Sequence, residues 1–215
     1  DLTRPDALAV ACGNRRLTWR EFHARTNRMA YALRAAGWRG GDRAAVIAGN
    51  GIEYAECLTS IFKAGLTFVP IPTMITPETL ALLLVDCGAA VTLVASAYRD
   101  FVSAAAARVR GHHGSQVIVL DGSGPDSYER WLEGGQDREP EFAHSPQAEC
   151  SIIYSSGTTS TPKGIIHSYA VRNRMAAGMR TIGLNAQSVT LLATPPYSNG
   201  SIAPFFGTLW GGGAT

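Results

Sequence analysis

The stretch YSSGTTSTPKG, from Tyr154 to Gly164, decides the fold that this sequence predicts. It places several hydroxyl groups, glycines and one lysine directly after the apolar run at residues 150–153. A turn of this composition after a buried strand offers a concave row of backbone N–H groups, which binds anions and most often phosphate. Gly157 permits backbone conformations closed to other residues, and Lys163 adds a compact positive charge. The stretch therefore predicts a phosphate-binding loop between a strand and a helix.

Two other interpretations compete with a phosphate loop of this kind. A Walker A loop needs a second glycine directly before its lysine, whereas here Gly164 follows Lys163. A plain polar turn with an incidental lysine is the simpler alternative, because turns rich in serine and threonine are common. Lys163 is, however, one of only two lysines among 19 basic residues, so a lysine carries more information here than in an average chain.

Helix and strand patterns alternate along the first 120 residues. Thr18 and Glu21 form a capping-box pattern, and Thr76 with Pro77 begins a later helix that Gly88 ends. Between the helices lie short apolar runs typical of buried strands, such as DRAAVIAG, LTFVPI, AVTLVA and QVIVL. Strands that alternate with helices indicate βαβ units, so the predicted fold class is α/β with a parallel sheet.

The composition changes after Leu120. Residues 121–147 are rich in Gly, Pro, Asp and Glu with little apolar periodicity, which indicates a linker. A second α/β segment follows, with the strand CSIIYSS, the quoted loop, a helix over residues 167–182 and the strand SVTLLAT. We therefore expect two Rossmann-like parallel-sheet lobes, one in residues 1–145 including the linker and an incomplete one in residues 148–215.

Composition excludes several kinds of partner. The chain has 215 residues, 46% of them hydrophobic, and a net charge of +2 that is too small to favour nucleic acid or an anionic membrane. No apolar run approaches the roughly 18 residues of a spanning helix. Four widely spaced cysteines without metal-ligand spacing predict reduced core thiols in a cytoplasmic protein. They are Cys12, Cys57, Cys87 and Cys150.

The quoted stretch resembles the phosphate-loop motif of the AMP-forming adenylating enzymes, which include acyl- and aryl-CoA synthetases, luciferases and peptide-synthetase adenylation domains. LTWREF resembles the opening block of this family, and GGDRAAVIAGNGIEYAECLTSIFKAGLTFVPI resembles its long second block. TPETL resembles the start of the next helix, and TPPYSNG resembles a segment near the acyl pocket of acyl-CoA synthetases. The resemblance covers most of the chain.

This resemblance implies ATP-dependent carboxylate activation. A carboxylate attacks the α-phosphorus of ATP and releases pyrophosphate, and the thiol of CoA then takes the acyl group from the acyl-adenylate. A fatty- or aryl-acid CoA ligase is implied, since TPPYSNG is more similar to the CoA ligases than to the peptide synthetases. The implied ligands are ATP, Mg²⁺, CoA and a small-molecule carboxylic acid.

The same resemblance implies roles for two groups of residues. The β- and γ-phosphates would be held by Ser155, Ser156, Gly157, Thr158, Thr159, Ser160, Lys163 and Gly164. Thr158 would also help to bind Mg²⁺. The acid would contact Tyr197, Asn199 and Gly200.

Other parts of the family's site, including the adenine and ribose contacts and a lysine on a mobile carboxy-terminal domain, have no counterpart in these 215 residues. We therefore assign no catalytic residue within the chain and expect it neither to adenylate nor to bind ATP tightly by itself. Two departures from the family pattern, serine at Ser160 and tyrosine at Tyr197, leave open a non-catalytic relative that acts as a binding module. A peptide-synthetase adenylation domain, an unrelated phosphate-binding α/β domain and a homodimer also stay open.

Overall fold

The computed structural model describes residues 3–108, 116–142, 145–155 and 162–215. Within these ranges the chain forms seven α-helices and eight β-strands. The helices are α1 (Trp19–Ala35), α2 (Ile52–Lys63), α3 (Pro77–Cys87), α4 (Arg99–Ala106), α5 (Tyr128–Glu133), α6 (Tyr169–Thr181) and α7 (Asn199–Trp210). The strands are β1 (Leu8–Cys12), β2 (Arg15–Thr18), β3 (Arg43–Ile47), β4 (Thr67–Pro70), β5 (Ala89–Val94), β6 (Gln116–Val119), β7 (Glu149–Ser155) and β8 (Lys163–Ser168).

Six of these strands form one sheet in the order β6-β5-β3-β4-β7-β8. The pairs from β6 to β7 run parallel, and β8 pairs antiparallel with β7 at one edge. β1 and β2 form a separate antiparallel hairpin ahead of α1, which the sequence patterns do not predict. The α/β fold class and its mostly parallel sheet are therefore confirmed.

Local signals explain where the predicted helices begin and end. At α1 the backbone N–H of Thr18 donates to Glu21 Oε2 at 2.8 Å, and the backbone N–H of Glu21 donates to Thr18 Oγ1 at 3.3 Å. These two bonds complete the predicted capping box. At α3 the Thr76 hydroxyl accepts from the backbone N–H of Thr79, and Gly88 closes the helix with a φ of 57°. That left-handed conformation favours glycine, as the sequence predicts.

The middle of the sheet is covered on both faces. Ala44 and Val46 of β3 pack in the apolar layer that contains α1 and α2, whereas Ala45 and Ile47 pack in the layer that contains α3 and α4. Successive side chains of a strand point to opposite faces. A strand covered on both sides therefore reads as a continuous apolar run, which is the pattern seen in the sequence.

The predicted division into two lobes stays a prediction. The sheet itself continues across the proposed boundary, because β7 pairs with β4 at Ser151 and Phe68. The predicted linker contains the short helix α5, which contacts α1, and Trp131 of α5 stacks on Trp38 with ring centroids 5.8 Å apart. This part of the linker therefore packs on the layer of α1 and α2.

A buried ion pair links α1, α2 and α5. The Glu56 side chain is fully buried and is held by Arg25, whose Nη2 donates to Glu56 Oε2 at 3.1 Å and to Glu129 Oε1 at 2.6 Å. Burial raises the pKa of Glu56, and the hydrogen bond from Arg25 acts in the opposite direction. The charge on Glu56 therefore depends on Arg25.

Three of the four cysteines are free and buried, as the prediction of reduced core thiols requires. Cys57, Cys87 and Cys150 are free and buried, whereas Cys12 is free and exposed at the end of β1. The prediction of a core thiol is wrong for Cys12, because it lies on the hairpin that the sequence patterns do not predict. None of the helices in the described ranges is both long enough and apolar enough to cross a membrane.

Candidate functional site

The predicted phosphate loop leaves the end of β7 and returns into β8. Ser155, the last residue of β7, lies opposite Lys163, the first residue of β8, in the antiparallel register. Ser155 is half-buried, and Lys163 and Gly164 are exposed. The other predicted phosphate ligands lie outside the described residues, and they are Ser156, Gly157, Thr158, Thr159 and Ser160. The structure thus brings together the first and last parts of the predicted loop.

The strand β8 separates this loop from α6, which differs from the predicted order of loop and then helix. The helix begins at Tyr169 rather than His167, and Ser168 caps it by accepting from the backbone N–H of Val171 at 3.3 Å. Because β8 is extended, its six residues put the start of α6 about 20 Å from Lys163. The partial positive charge of the helix terminus falls off within one turn, so α6 should not contribute to anion binding at Lys163.

The loop end of the β7–β8 hairpin is fixed to α3. The hydroxyl group of Tyr154 donates to Asp86 Oδ2 at 2.5 Å. Burial raises the pKa of Tyr154, and the hydrogen bond to Asp86 raises it further. A Cβ at Gly164 would lie 2.8 Å from Ile152 Cγ2 and 3.3 Å from Tyr154 Cε1. Glycine at position 164 therefore lets the two strands close around the tyrosine ring.

Replacing Gly164 with alanine should destabilise the hairpin. The new methyl group must displace Ile152 or Tyr154, and overpacking of this kind costs about 1–3 kcal/mol. Gly178→Ala in α6 is the matched control, since a Cβ there meets nothing within 4 Å and should be neutral or stabilising. Urea unfolding of both variants measures the difference. An unfolding free energy for Gly164→Ala equal to that of Gly178→Ala would contradict the packing argument.

Lys163 carries the only predicted cationic contact to phosphate. Its side chain is exposed, and no ion-pair partner for it exists among the residues that the structure describes. An exposed ammonium group beside the mouth of a Ser/Thr/Gly loop is free to bind an anion. This observation fits the triphosphate of ATP. Thr158, the predicted Mg²⁺ ligand, lies outside the described residues.

The predicted acid-binding segment, residues 194–200, leads into the first turn of α7 and is anchored by Asn50 and by Tyr54 of α2. Asn50 Nδ2 donates to the carbonyl oxygens of Leu192 and Thr194 at 2.6 and 3.2 Å. The buried hydroxyl group of Tyr54 donates to the carbonyl oxygen of Pro196 at 2.8 Å. Among the predicted acid contacts, Tyr197 and Asn199 are half-buried and Gly200 is exposed. The expected strand SVTLLAT is wrong, because this region forms only an isolated bridge from Val189 to Ala214.

A mostly apolar cavity of about 270 Å³ lies between β1, α2 and α7. Its wall includes Tyr54, Leu58, Pro196, Ile202 and Phe205. The three predicted acid contacts do not line it. The cavity is therefore bordered by Pro196 of the predicted acid-binding segment and not by the predicted acid contacts.

The chain's other lysine has structural contacts. Lys63 Nζ donates to Asn27 Oδ1 at 2.6 Å, lies 3.0 Å from His23 Nδ1 and pairs with Glu139 at 3.2 Å. Burial lowers the pKa of Lys63, and Glu139 opposes that shift. Lys63 thus joins α1 and α2 to the linker, and Lys163 is left as the lysine available to a ligand.

The same cluster should make stability depend on pH. Burial and the charge of Lys63 lower the pKa of His23 to about 4, against 6.5 in the unfolded chain. Between these values the unfolded state binds more protons, so stability falls as the pH drops from 6.5 to 4. Because the His23 ring is partly exposed, we expect the free energy of unfolding to fall by about 1–2 kcal/mol over this pH range. Urea unfolding of the wild type and of His23→Gln at pH 7 and pH 4.5 measures this loss. If the free energy of unfolding changed equally with pH in both proteins, His23 would not be its cause.

Comparison with known proteins identifies the family. A sequence profile of the AMP-binding enzymes matches residues 2–215. The chain belongs to the AMP-binding enzyme family. The resemblance of its phosphate-loop motif to the AMP-forming adenylating enzymes is thereby confirmed.

Curated relatives from this family include ligases and peptide synthetases. Feruloyl-CoA synthase from Amycolatopsis sp is 34% identical over 160 residues, covering 74% of this chain and 30% of the relative. Fatty acid–[acyl-carrier-protein] ligase ScoC from Streptomyces coeruleorubidus is 28% identical and covers 92% of this chain and 38% of the relative. Bacitracin synthase 1 from Bacillus licheniformis is 29% identical over 97% of this chain, and the match covers 4% of that much longer relative. The chain thus spans well under half the length of these relatives.

Solved structures of AMP-binding enzymes share the fold. The anthranilate CoA ligase AuaEII in complex with anthranoyl-AMP superposes with a TM-score of 0.88 at 23% identity, over 99% of this chain and 42% of that one. ATP-bound MatB from Rhodopseudomonas palustris gives a TM-score of 0.81 at 26% identity. This match covers 98% of the present chain and 42% of the MatB chain. The order of the elements is therefore that of this family's amino-terminal region.

One residue near the predicted site is missed by the sequence patterns. Arg172 of α6 is 3% exposed, and its Nη1 donates to Asn199 Oδ1 at 2.9 Å while Nε and Nη2 donate to Ser151 Oγ at 3.0 and 2.8 Å. It connects β7 with the first residue of α7. Arginine is common in this chain and abundant in α6, so the sequence alone gives no reason to single it out.

Proposed function

We propose that the protein containing this chain activates carboxylic acids with ATP and transfers the acyl group to the thiol of CoA. The carboxylate oxygen attacks the α-phosphorus of ATP, the bond to pyrophosphate breaks, and an acyl-adenylate forms. The thiolate then attacks the acyl carbon and AMP leaves. The observation that carries the proposal is the β7–β8 hairpin of an AMP-binding enzyme, where Ser155 pairs in register with the exposed Lys163, which has no ion-pair partner among the described residues.

Charge neutralisation is the main task of such a site, because the carboxylate and the triphosphate repel each other. In the proposal Lys163 and the loop from Ser155 to Ser160 hold the β- and γ-phosphates, with Gly164 closing the hairpin beneath them. Mg²⁺ would further neutralise the phosphates, and Thr158 would be one of its ligands. Tyr197, Asn199 and Gly200 would contact the acid.

The acid is proposed to be a fatty or aryl acid. The names of ScoC, of feruloyl-CoA synthase and of the anthranilate CoA ligase, whose structure holds anthranoyl-AMP, support these two classes. The three buried, free cysteines fit a cytoplasmic location, which is part of the proposal.

A second candidate is adenylation for transfer to a carrier-protein thiol. The likeness to bacitracin synthase 1 over 97% of this chain and to an acyl-carrier-protein ligase favours it. The two candidates share the first half-reaction and differ in the acceptor thiol and, for a peptide synthetase, in the acid.

Acid-dependent exchange of pyrophosphate into ATP by the full-length gene product tests the proposal. We expect exchange with fatty or aryl acids, followed by thioester formation when CoA is added. Exchange with amino acids only would favour a peptide synthetase, and thioester formation only on a carrier protein would favour the second candidate. No exchange with any acid, together with no heat on titration with ATP and Mg²⁺, would overturn the proposal in favour of a non-catalytic relative.

A further inference from the structure

A buried guanidinium group lies between the two predicted binding regions. Arg172 of α6 is 3% exposed, and its partner Ser151 of β7 is fully buried. Besides its bonds to Ser151 and Asn199, Nη2 lies 3.4 Å from His167 Nδ1 in β8, and Nη1 lies 3.8 Å from Met175 Sδ. The guanidinium group thus contacts three separate elements beyond its own helix.

The partners of this group are unusual for a buried charge. Every hydrogen-bond partner of Arg172 in the described part of the chain is uncharged, and His167 is disfavoured from protonation because burial and Arg172 lower its pKa. Burying an arginine without a carboxylate is costly, and each partner must be well placed to offset that cost. The planar fork of the guanidinium fixes the directions of these bonds. The contact therefore sets the relative position of the elements it joins.

The elements in question carry different predicted ligands. β7 and β8 flank the predicted phosphate loop, and Asn199 is the first residue of α7 and a predicted acid contact. The acid-binding segment is anchored on its other side by Asn50, which precedes α2, and by Tyr54 of α2. Within the described residues, Arg172 is the side chain that connects this segment with the hairpin strands through hydrogen bonds.

We propose that Arg172 is a positioning residue that holds the acid-binding segment at residues 194–200 in register with the phosphate-loop hairpin. It acts through Asn199 and Ser151 and does not itself touch ATP. This inference rests on the proposed function. The hairpin has further supports in the pairing of β7 with β4 and in the bond from Tyr154 to Asp86, so loss of Arg172 should displace the acid-binding segment more than the loop.

Arg172→Met in the full-length gene product tests this role. We expect the KM for the acid in pyrophosphate exchange to rise about tenfold or more, since small misplacements of a bound reactant have large effects. The KM for ATP should change by less than about threefold, because the hairpin keeps its other supports. Arg172→Lys should recover part of the loss, and Arg174→Met is the matched control, because Arg174 is exposed on the same helix.

Ser151→Ala separates the positioning role from a general loss of folding, because Ser151 holds Arg172 from β7 and is not a predicted acid contact. It should reproduce the higher KM for the acid, and the double variant with Arg172→Met should add little to either single change. If Arg172→Met does not fold, the Ser151→Ala and Arg172→Lys variants still carry the test. A double variant whose effects simply add, or equal changes in both KM values, would overturn the proposal.

Amide hydrogen exchange distinguishes failure of this inference from failure of the proposed function. The hydrogen-bonded amides of Ser198, Ser201 and Ile202, at the start of α7, should exchange about fivefold faster or more in Arg172→Met than in Arg174→Met, whether or not the enzyme turns over. Faster amide exchange in a protein without pyrophosphate exchange would support the positioning role of Arg172 and overturn only the proposed function. Unchanged exchange at these three amides would overturn the positioning role even in an active enzyme.

Discussion

Lys163→Ala should lower acid-dependent pyrophosphate exchange by the full-length gene product about a hundredfold or more. The exposed ammonium group lies at the mouth of the β7–β8 hairpin opposite Ser155 and has no ion-pair partner in the described ranges. If it holds the β- and γ-phosphates, its charge counts most when the pyrophosphate leaves, and removal of one such electrostatic contact costs about 10²–10³ in rate. The measurement is the rate of label transfer at saturating acid and ATP.

Two controls separate this effect from folding. The melting temperature of Lys163→Ala should match that of the wild type, because an exposed side chain makes little contribution to stability. Lys163→Arg should recover part of the rate, since it restores the charge but with a different shape. If Lys163→Ala exchanged pyrophosphate at the wild-type rate, Lys163 would not be part of the phosphate-binding site.

Glu56→Gln should lower the free energy of unfolding by about 1–3 kcal/mol, the usual cost of losing a buried hydrogen bond to a charged group. The side chain of Glu56 is fully buried and accepts hydrogen bonds from Arg25, whose own side chain is 21% exposed. The substitution leaves Arg25 paired with Glu129 and removes its buried carboxylate partner. Urea unfolding of the variant measures the loss.

Glu129→Gln is the matched control for that change. Glu129 binds the same arginine, but its side chain is 56% exposed, so its loss should cost no more than about 1 kcal/mol. Similar costs for the two substitutions would contradict the larger contribution expected from the buried Glu56–Arg25 pair.

The features that the sequence predicts well are those that neighbouring residues determine. The capping box at Thr18 and Glu21 and the left-handed glycine at Gly88 are satisfied within one turn of chain, so their patterns are visible without a structure. The apolar runs of β3 to β7 reflect burial on both faces of the sheet.

The features that the sequence does not predict depend on distant parts of the chain. The residues KGIIHS form a strand because β7 offers them an antiparallel edge, whereas their own pattern indicated a loop followed by a helix. Segment 188–194 looks like a strand, yet it forms an isolated bridge at Val189, and Asn50, ahead of α2, holds the carbonyl oxygens of Leu192 and Thr194. Arg172 depends on Ser151 and Asn199, which are 21 and 27 residues away from it.

A crystal structure of the full-length gene product with a non-hydrolysable ATP analogue and Mg²⁺ tests the central claim most directly. We expect the polyphosphate to lie in the bend between Ser155 and Lys163, with the lysine ammonium group in contact with a phosphate oxygen. Polyphosphate bound elsewhere while this bend stays empty would contradict the account.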